Sequence, residues 1–138
     1  MRFILPAALM SLSAAGAAFA AGHAMTPAIT AADQSVANGV VSATDVTAGQ
    51  NGWMVVHRTD DTMKPGPVVG HAPLRAGDNA DVAAILTEEV KPGEKLMLMV
   101  HGEDGGMTTG IFEYTLGAKE DGPVRIDGAL VMTVITAQ

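Results

Sequence analysis

Short apolar runs alternate with turn-forming clusters along most of the chain. Clusters such as 64–67 and 91–94 combine glycine with proline, and both residues supply the backbone angles that turns require. A short stretch at 28–37 is the one candidate helix after residue 20, because no other segment there sustains a helical period. The pattern predicts strands at 39–47, 53–59, 68–74, 81–86, 95–101, 109–114 and 129–135, with a shorter edge strand at 124–126.

Seven or eight short strands within about a hundred residues predict an all-β fold. Because antiparallel strands joined by short turns pack as two layers, we expect an antiparallel β-sandwich, Ig-like, with Greek-key connections. The chain shows no internal repeat and no low-complexity linker, so residues 31–138 are predicted to form a single domain.

The first twenty residues have the pattern of a secretory signal peptide. Arg2 is followed by an apolar stretch at 3–12 and by a small-x-small cleavage site at 18–20, which predicts cleavage after Ala20. A retained anchor is less favoured, because a spanning helix needs ~20 strongly apolar residues. We therefore expect a periplasmic or secreted protein with no integral membrane segment after processing, and a flexible lead-in at 21–30.

Composition excludes several classes of function. The chain has 15 acidic against 8 basic side chains and a net charge of −7, a balance that repels phosphate backbones and disfavours nucleic-acid binding. It contains no cysteine, which excludes a thiolate metal site, a redox dithiol and a cysteine nucleophile.

Three predicted strands carry a histidine toward the end: His57, His71 and His101. If the connection around 64–67 is symmetric, His57 and His71 face each other on adjacent strands, with Cβ atoms ~5 Å apart. Imidazoles on one sheet can share a metal ion when their ring nitrogens lie within ~4 Å of one another. The three histidines are therefore candidate metal ligands.

Two methionines accompany the third histidine. Met97, Met99 and His101 share one face of their strand because side chains alternate, so they point outward or lie under a covering loop. Thioethers favour Cu(I) and imidazoles accept copper in either oxidation state, so the group suits copper. The alternative also stands: methionine fills irregular cores, and a histidine at a strand end can simply bond to a backbone carbonyl.

A second metal motif depends on processing. Cleavage after Ala20 would expose Ala21, Gly22 and His23, whose amine, amides and imidazole can bind Cu(II) or Ni(II) in a square plane.

Catalytic signatures are missing from the sequence. It has no nucleophile elbow, phosphate-binding loop, dinucleotide fingerprint or zinc-protease helix motif. Its adjacent carboxylates are expected to be solvated turn residues, because acid–base pairs need to face each other across a cleft. An enzyme is therefore the less favoured class.

The order and spacing of several short motifs resemble a family of exported β-sandwich domains of unknown function that is common in halophilic archaea and bacteria. The motifs include Ala-Asp-Gln at 32–34, Gly-Trp-Met-Val-Val-His at 52–57, Leu-Met-Val-His at 98–101 and Asp-Gly-Pro at 121–123. The resemblance implies a module at the cell surface or in the periplasm, without an established activity or ligand. It also implies that His57 and His101 are typical of the family and that the place of His71 is more variable.

Two functions follow from these patterns. The favoured one is a non-catalytic binding or structural module of the cell envelope, with an envelope protein as its partner. The alternative is a periplasmic protein that binds copper or another transition metal through His57, His71 and His101, with Met97 or Met99 as accessory ligands.

Overall fold

Strands and loops make up residues 25–138, which are the part of the chain that the computed structural model describes; this part contains no helix. The strands in chain order are β1 (Ala28–Thr30), β2 (Val40–Ala48), β3 (Gly52–Thr59), β4 (Val68–Leu74), β5 (Gly77–Ile85), β6 (Lys95–Gly102), β7 (Arg125–Ile126), β8 (Ala129–Leu130) and β9 (Met132–Thr136).

The strands form two main antiparallel sheets that pack together. The first sheet has the order β1-β2-β5, the second has the order β4-β3-β6-β9, and β7 pairs with β8 as a small hairpin. The predicted all-β antiparallel sandwich is confirmed. The strand count is nine because β1 is added, no strand forms at 109–114, and the segment predicted at 129–135 divides at Val131 into β8 and β9.

The sandwich core lies between the two sheets and is filled by apolar side chains from both. Val41, Ala43 and Val46 of β2 are buried on one side, and Leu96, Leu98 and Val100 of β6 are buried on the other. Each is at most 1% exposed, so removal of this apolar surface from water is the main stabilising contribution.

The second sheet is also buried on the face that points away from this core. Every residue of β3 from Gly52 to His57 and every residue of β6 from Leu96 to Gly102 is buried. We call residues 103–124, which connect β6 to β7, the covering loop; its Phe112 and Tyr114 rings lie against histidines of this outer face. The covered face is thus a second buried layer.

Three predicted elements differ from the structure. Residues 109–114 belong to the covering loop and not to a strand, because their backbone turns, with Ile111 donating to Thr108 at 3.3 Å. The candidate helix at 28–37 is wrong, since β1 occupies 28–30 and pairs with β2. The same strand shows that the predicted flexible lead-in does not extend through residue 30.

The β3–β4 hairpin has a different register from the predicted one. Val55 faces His71, and His57 faces Val68, with a β-bulge between Val56 and His57. The connection is not symmetric, because Gly66 donates back to Arg58 and lengthens the pairing on one side. The prediction that His57 and His71 face each other is therefore wrong.

The predicted signal peptide, its cleavage site and His23 fall within residues 1–24, outside the described residues. Within residues 25–138, no helix is long and apolar enough to cross a membrane.

Candidate metal-binding site

Two histidines lie on the covered face of the second sheet, on neighbouring strands. Across β3 and β6 the facing pairs are Trp53 with His101, Val55 with Met99, and His57 with Met97. The His57 and His101 backbones are therefore four residues apart along the strands, roughly 13 Å at ~3.3 Å per residue. Their rings must lean toward each other to meet above the middle pair.

The two rings do meet. His57 Nε2 lies 3.4 Å from His101 Nε2. The ring centres are 5.5 Å apart and the ring planes differ by 28°. Because the nitrogen atoms are much closer than the ring centres, the imidazoles meet at their Nε2 edges and not face to face.

The other ring nitrogens are fixed by backbone carbonyls. His57 Nδ1 donates to the carbonyl oxygen of Gly66 at 2.8 Å, and His101 Nδ1 donates to that of Asp121 at 2.7 Å. A carbonyl oxygen only accepts, so both Nδ1 atoms carry the hydrogen and both Nε2 atoms are unprotonated when the rings are neutral. Metal-ligating histidines have this arrangement, with the second nitrogen donating to a backbone or side-chain oxygen.

Burial keeps both rings neutral. It lowers the pKa of His57 and lowers the pKa of His101 to about 4. The hydrogen bonds to Gly66 and Asp121 act in the opposite direction, and for His101 the neighbouring His57 lowers the pKa further. At neutral pH two nitrogen lone pairs therefore converge in a buried space without a proton between them.

The separation of the two nitrogens is long for a hydrogen bond and compatible with a metal ion. Hydrogen bonds donated by N–H groups in proteins typically span ~2.7–3.2 Å between heavy atoms, which is shorter than the 3.4 Å found here. With metal–nitrogen bonds of ~2.0–2.1 Å, nitrogens at this separation subtend roughly 110–115° at the metal. That angle is typical of trigonal or tetrahedral coordination.

Three methionines occupy positions near the histidine pair on the same face of the sheet. Met97 and Met99 are at most 1% exposed, and Met132 of β9 faces Met99 on the same side of the sheet. Among residues 25–138, no group of three or more histidine and acidic side chains is placed to hold a metal ion. The thioether sulfurs of these methionines are therefore candidate further ligands of the pair.

His71 does not join the other two histidines. It is exposed, with its ring centre 4.5 Å from that of Phe112 and 5.6 Å from that of Trp53. Partial burial there lowers the pKa of His71. Of the predicted ligands, the structure brings together His57 and His101, with Met97 and Met99 on the same face.

Sequence reasoning missed the residues that shape the site. Asp121 is fully buried, and its carboxylate accepts backbone N–H bonds from Asp104 at 3.2 Å and Glu113 at 2.8 Å. Tyr114 lies edge-on to His101, with ring centres 4.6 Å apart. The Asp-Gly-Pro sequence at 121–123 gave only a turn signal, since these contacts span many residues of chain.

Close backbone approach explains the glycine that orients His57. A Cβ atom on Gly66 would lie 2.7 Å from the Arg58 carbonyl oxygen, so a side chain there would push the loop away. Gly66 also donates its N–H to that oxygen at 2.7 Å. The carbonyl that holds His57 therefore depends on a residue without a side chain.

The fold and the site together define a class: an antiparallel β-sandwich with a histidine pair on a loop-covered sheet face. The chain belongs to the family described as Domain of unknown function (DUF7282), whose family model matches residues 27–138. No curated protein and no solved structure matches the chain. The matched range includes both sheets, the covering loop and both imidazoles of the pair.

Proposed function

We propose that this domain binds one transition-metal ion between Nε2 of His57 and Nε2 of His101. The observation that carries the proposal is the convergence of these two unprotonated nitrogens at 3.4 Å, each ring being oriented by a backbone carbonyl. Two facing lone pairs repel each other in the metal-free state, and a shared cation converts that repulsion into two bonds.

The burial of the site favours holding an ion over catalysis. His57, His101, Met97 and Met99 are each at most 1% exposed, so an ion between the imidazoles would be covered by protein. Catalytic metal sites keep an open coordination position, whereas sites that store, carry or use an ion structurally are closed. A closed site supports a binding role.

The amino-terminal sequence supports placing this role outside the cytoplasm. The apolar stretch and small-x-small site of residues 1–20 favour export to the periplasm or the medium. An envelope partner protein is the interpretation that remains if the histidine pair binds no metal.

Nuclear magnetic resonance of the ring nitrogens tests the proposal. The purified chain carries His23→Gln, so that the amino-terminal motif does not compete, and ¹⁵N-labelled histidine. We titrate it separately with Zn(II), Co(II) and, without oxygen, Cu(I). With at least one ion we expect the Nε2 signals of His57 and His101 to change together and to saturate at one ion per chain.

Variants identify the ligands. We expect His57→Gln and His101→Gln each to abolish this binding and the matched His71→Gln to retain it. Circular dichroism confirms that each variant folds. If none of the three ions changes either Nε2 signal in the folded chain, the proposal is wrong. A metal response of His23 alone in the unsubstituted chain would support only the amino-terminal motif.

A further inference from the structure

We infer that the ion is Cu(I) and that the thioether sulfur of Met99 is its third ligand. This inference rests on the proposed function, since it names the metal and completes the coordination at the same histidine pair. Four observations carry it: the register around the pair, the separation of the two nitrogens, the softness of the available donors and the charge of the surroundings.

The register puts Met99 at the place where the rings meet. His57 faces Met97 and His101 faces Trp53, so the rings approach each other over the pair between these rows, Val55 and Met99. Val55 offers only hydrocarbon. Met99 is therefore the donor-bearing residue in the row beneath the two nitrogens.

The separation of the nitrogens calls for a third ligand. A two-coordinate ion with collinear bonds of ~2.0 Å would hold the nitrogens ~4 Å apart. Because the two Nε2 atoms are only 3.4 Å apart, the two metal–nitrogen bonds would not be collinear, and the side of the ion opposite the nitrogens would be open. A single thioether there gives a trigonal site of two nitrogens and one sulfur.

The chemistry of the donors selects the metal. Thioether sulfur is a soft ligand that binds Cu(I) well, and imidazole accepts the same ion. Zn(II) prefers four ligands that usually include thiolate, imidazole or carboxylate, and a third such group does not converge on the pair within residues 25–138. A site of two imidazoles and thioether thus favours Cu(I).

The charge of the surroundings agrees with a monovalent ion. Asp121 is fully buried, its carboxylate accepts backbone N–H bonds from Asp104 and Glu113, and its backbone carbonyl accepts from His101 Nδ1. One carboxylate balances one positive charge. A divalent ion would leave an uncompensated charge in this buried layer, at a desolvation cost that a monovalent ion avoids.

X-ray absorption and affinity measurements test the inference on the full chain with His23→Gln. Cu(I) affinity is measured without oxygen by competition with bicinchoninate, and Zn(II) affinity by competition with a chromophoric chelator. We expect a copper–sulfur shell beside the copper–nitrogen shell. We also expect Met99→Leu to remove the sulfur shell and to weaken Cu(I) binding at least about tenfold while Zn(II) binding stays within about twofold.

Met54→Leu is the matched control, because Met54 is fully buried in the same sheet but belongs to the sandwich core. It should leave the sulfur shell and the Cu(I) affinity unchanged. A nitrogen-only shell, or a loss caused by Met97→Leu or Met132→Leu and not by Met99→Leu, overturns the assignment. If Zn(II) or Co(II) binds at the imidazoles and Cu(I) does not, this inference fails while the proposed function stands; if no ion binds there, both fail.

Discussion

Each imidazole of the pair takes its orientation from one backbone carbonyl, and these carbonyls come from opposite ends of the site. Gly66 lies in the β3–β4 connection, whereas Asp121 closes the covering loop. Because a carbonyl cannot donate, neither ring can turn over without losing its hydrogen bond in a buried place, which costs about 1–3 kcal/mol. The direction of the two Nε2 lone pairs is therefore set by main-chain geometry.

The depressed pKa of His101 predicts how stability depends on pH in the metal-free protein. Its ordinary value is 6.5 and its value in the fold is about 4, so between these values the unfolded chain binds a proton that the folded chain does not. The free energy of unfolding should fall as the pH drops from about 6.5 to about 4 and should gain nothing from this group above 6.5. Protonation of this one histidine in the unfolded chain should lower the free energy of unfolding by about 3 kcal/mol in total.

Urea unfolding between pH 7 and pH 4.5 measures this loss, and His101→Gln is the comparison because it removes the titrating ring. We expect the stability of the unsubstituted protein to fall more steeply than that of the variant. Ring signals of His101 in the folded protein should titrate near pH 4. Parallel stability curves together with a His101 midpoint near 6.5 would contradict the prediction.

At the residue scale, the sequence predicts well which side chains of a strand share one face. The expectation that Met97, Met99 and His101 share one face, outside the core or under a loop, agrees with the structure because strand periodicity is a local property. The prediction that His57 faces His71 was wrong, because a β-bulge and an asymmetric connection change the register of the β3–β4 hairpin. Both arise from backbone contacts, and no residue pattern encodes them.

At the scale of elements, the covering loop turns an exposed sheet face into a buried one. Its two ends are tied together: Asp121 donates its N–H to the Asp104 carbonyl at 2.8 Å, and the Asp121 carboxylate accepts from Asp104. The same carboxylate accepts from Glu113 near the middle of the loop. The Asp121 side chain thus holds the loop at two backbone points, Asp104 and Glu113, and the Asp121 backbone adds a third bond.

Removal of that side chain should loosen the loop before it unfolds the sandwich. Asp121→Ala leaves two N–H groups without acceptors, at a cost of about 1–3 kcal/mol each when they stay buried, and opening the loop to water relieves that cost. We expect faster hydrogen exchange across residues 103–121 while β2 and β5 keep their protection. Glu120→Ala, at the exposed neighbouring carboxylate, is the matched control and should exchange like the unsubstituted protein.

Hydrogen-exchange mass spectrometry distinguishes opening of the loop alone from destabilisation of the whole sandwich. Equal exchange of residues 103–121 in Asp121→Ala and Glu120→Ala would show that the carboxylate does not hold the loop. Faster exchange of β2 and β5 as well would show that Asp121 stabilises the whole domain and not this loop alone.

The covering loop was also the element that sequence patterns described least well. Residues 109–114 alternate like a strand, with Phe112 and Tyr114 on one side, and both rings do face the histidines. Their backbone nevertheless pairs with no strand, because alternation reports which side chains are buried and not which hydrogen bonds the main chain makes. The strand predicted at 109–114 is therefore wrong, although its alternation places Phe112 and Tyr114 on one side.

For the whole molecule, the structure consists of a core between the sheets and a second buried layer under the covering loop. The sandwich class could be predicted because strand-length apolar runs separated by turns leave few alternatives. The order β4-β3-β6-β9 could not, since it depends on pairings between distant segments. That order brings His57 and His101 onto adjacent strands, so the histidine pair could not be predicted from any single sequence motif.

An ion that binds the folded site but not the unfolded chain stabilises the entire domain. At a free ion concentration of 100 times the dissociation constant, the free energy of unfolding should rise by about 2.7 kcal/mol. Trp53 is the sole tryptophan and faces His101 in the buried layer, so its emission follows unfolding directly. Chemical unfolding with and without the ion that binds, in the His23→Gln background, measures the difference.

The matching control is His57→Gln, which should show no gain in stability when the ion is added. A chelator should return the unsubstituted protein to its metal-free stability. An equal gain in both proteins would place the stabilising ion elsewhere on the chain.

The hydrogen bonds between Asp104 and Asp121 also bring the two ends of residues 105–120 together, so this segment could be replaced as a unit. This segment leaves the sandwich and returns to it at one place, so we expect grafts that keep the Glu113 N–H bond to Asp121 to vary in length and composition without moving a strand. The carbonyls that orient the two imidazoles belong to Gly66 and Asp121, both outside the segment. Grafting other sequences between these fixed ends would therefore change access to the imidazoles while leaving them in place.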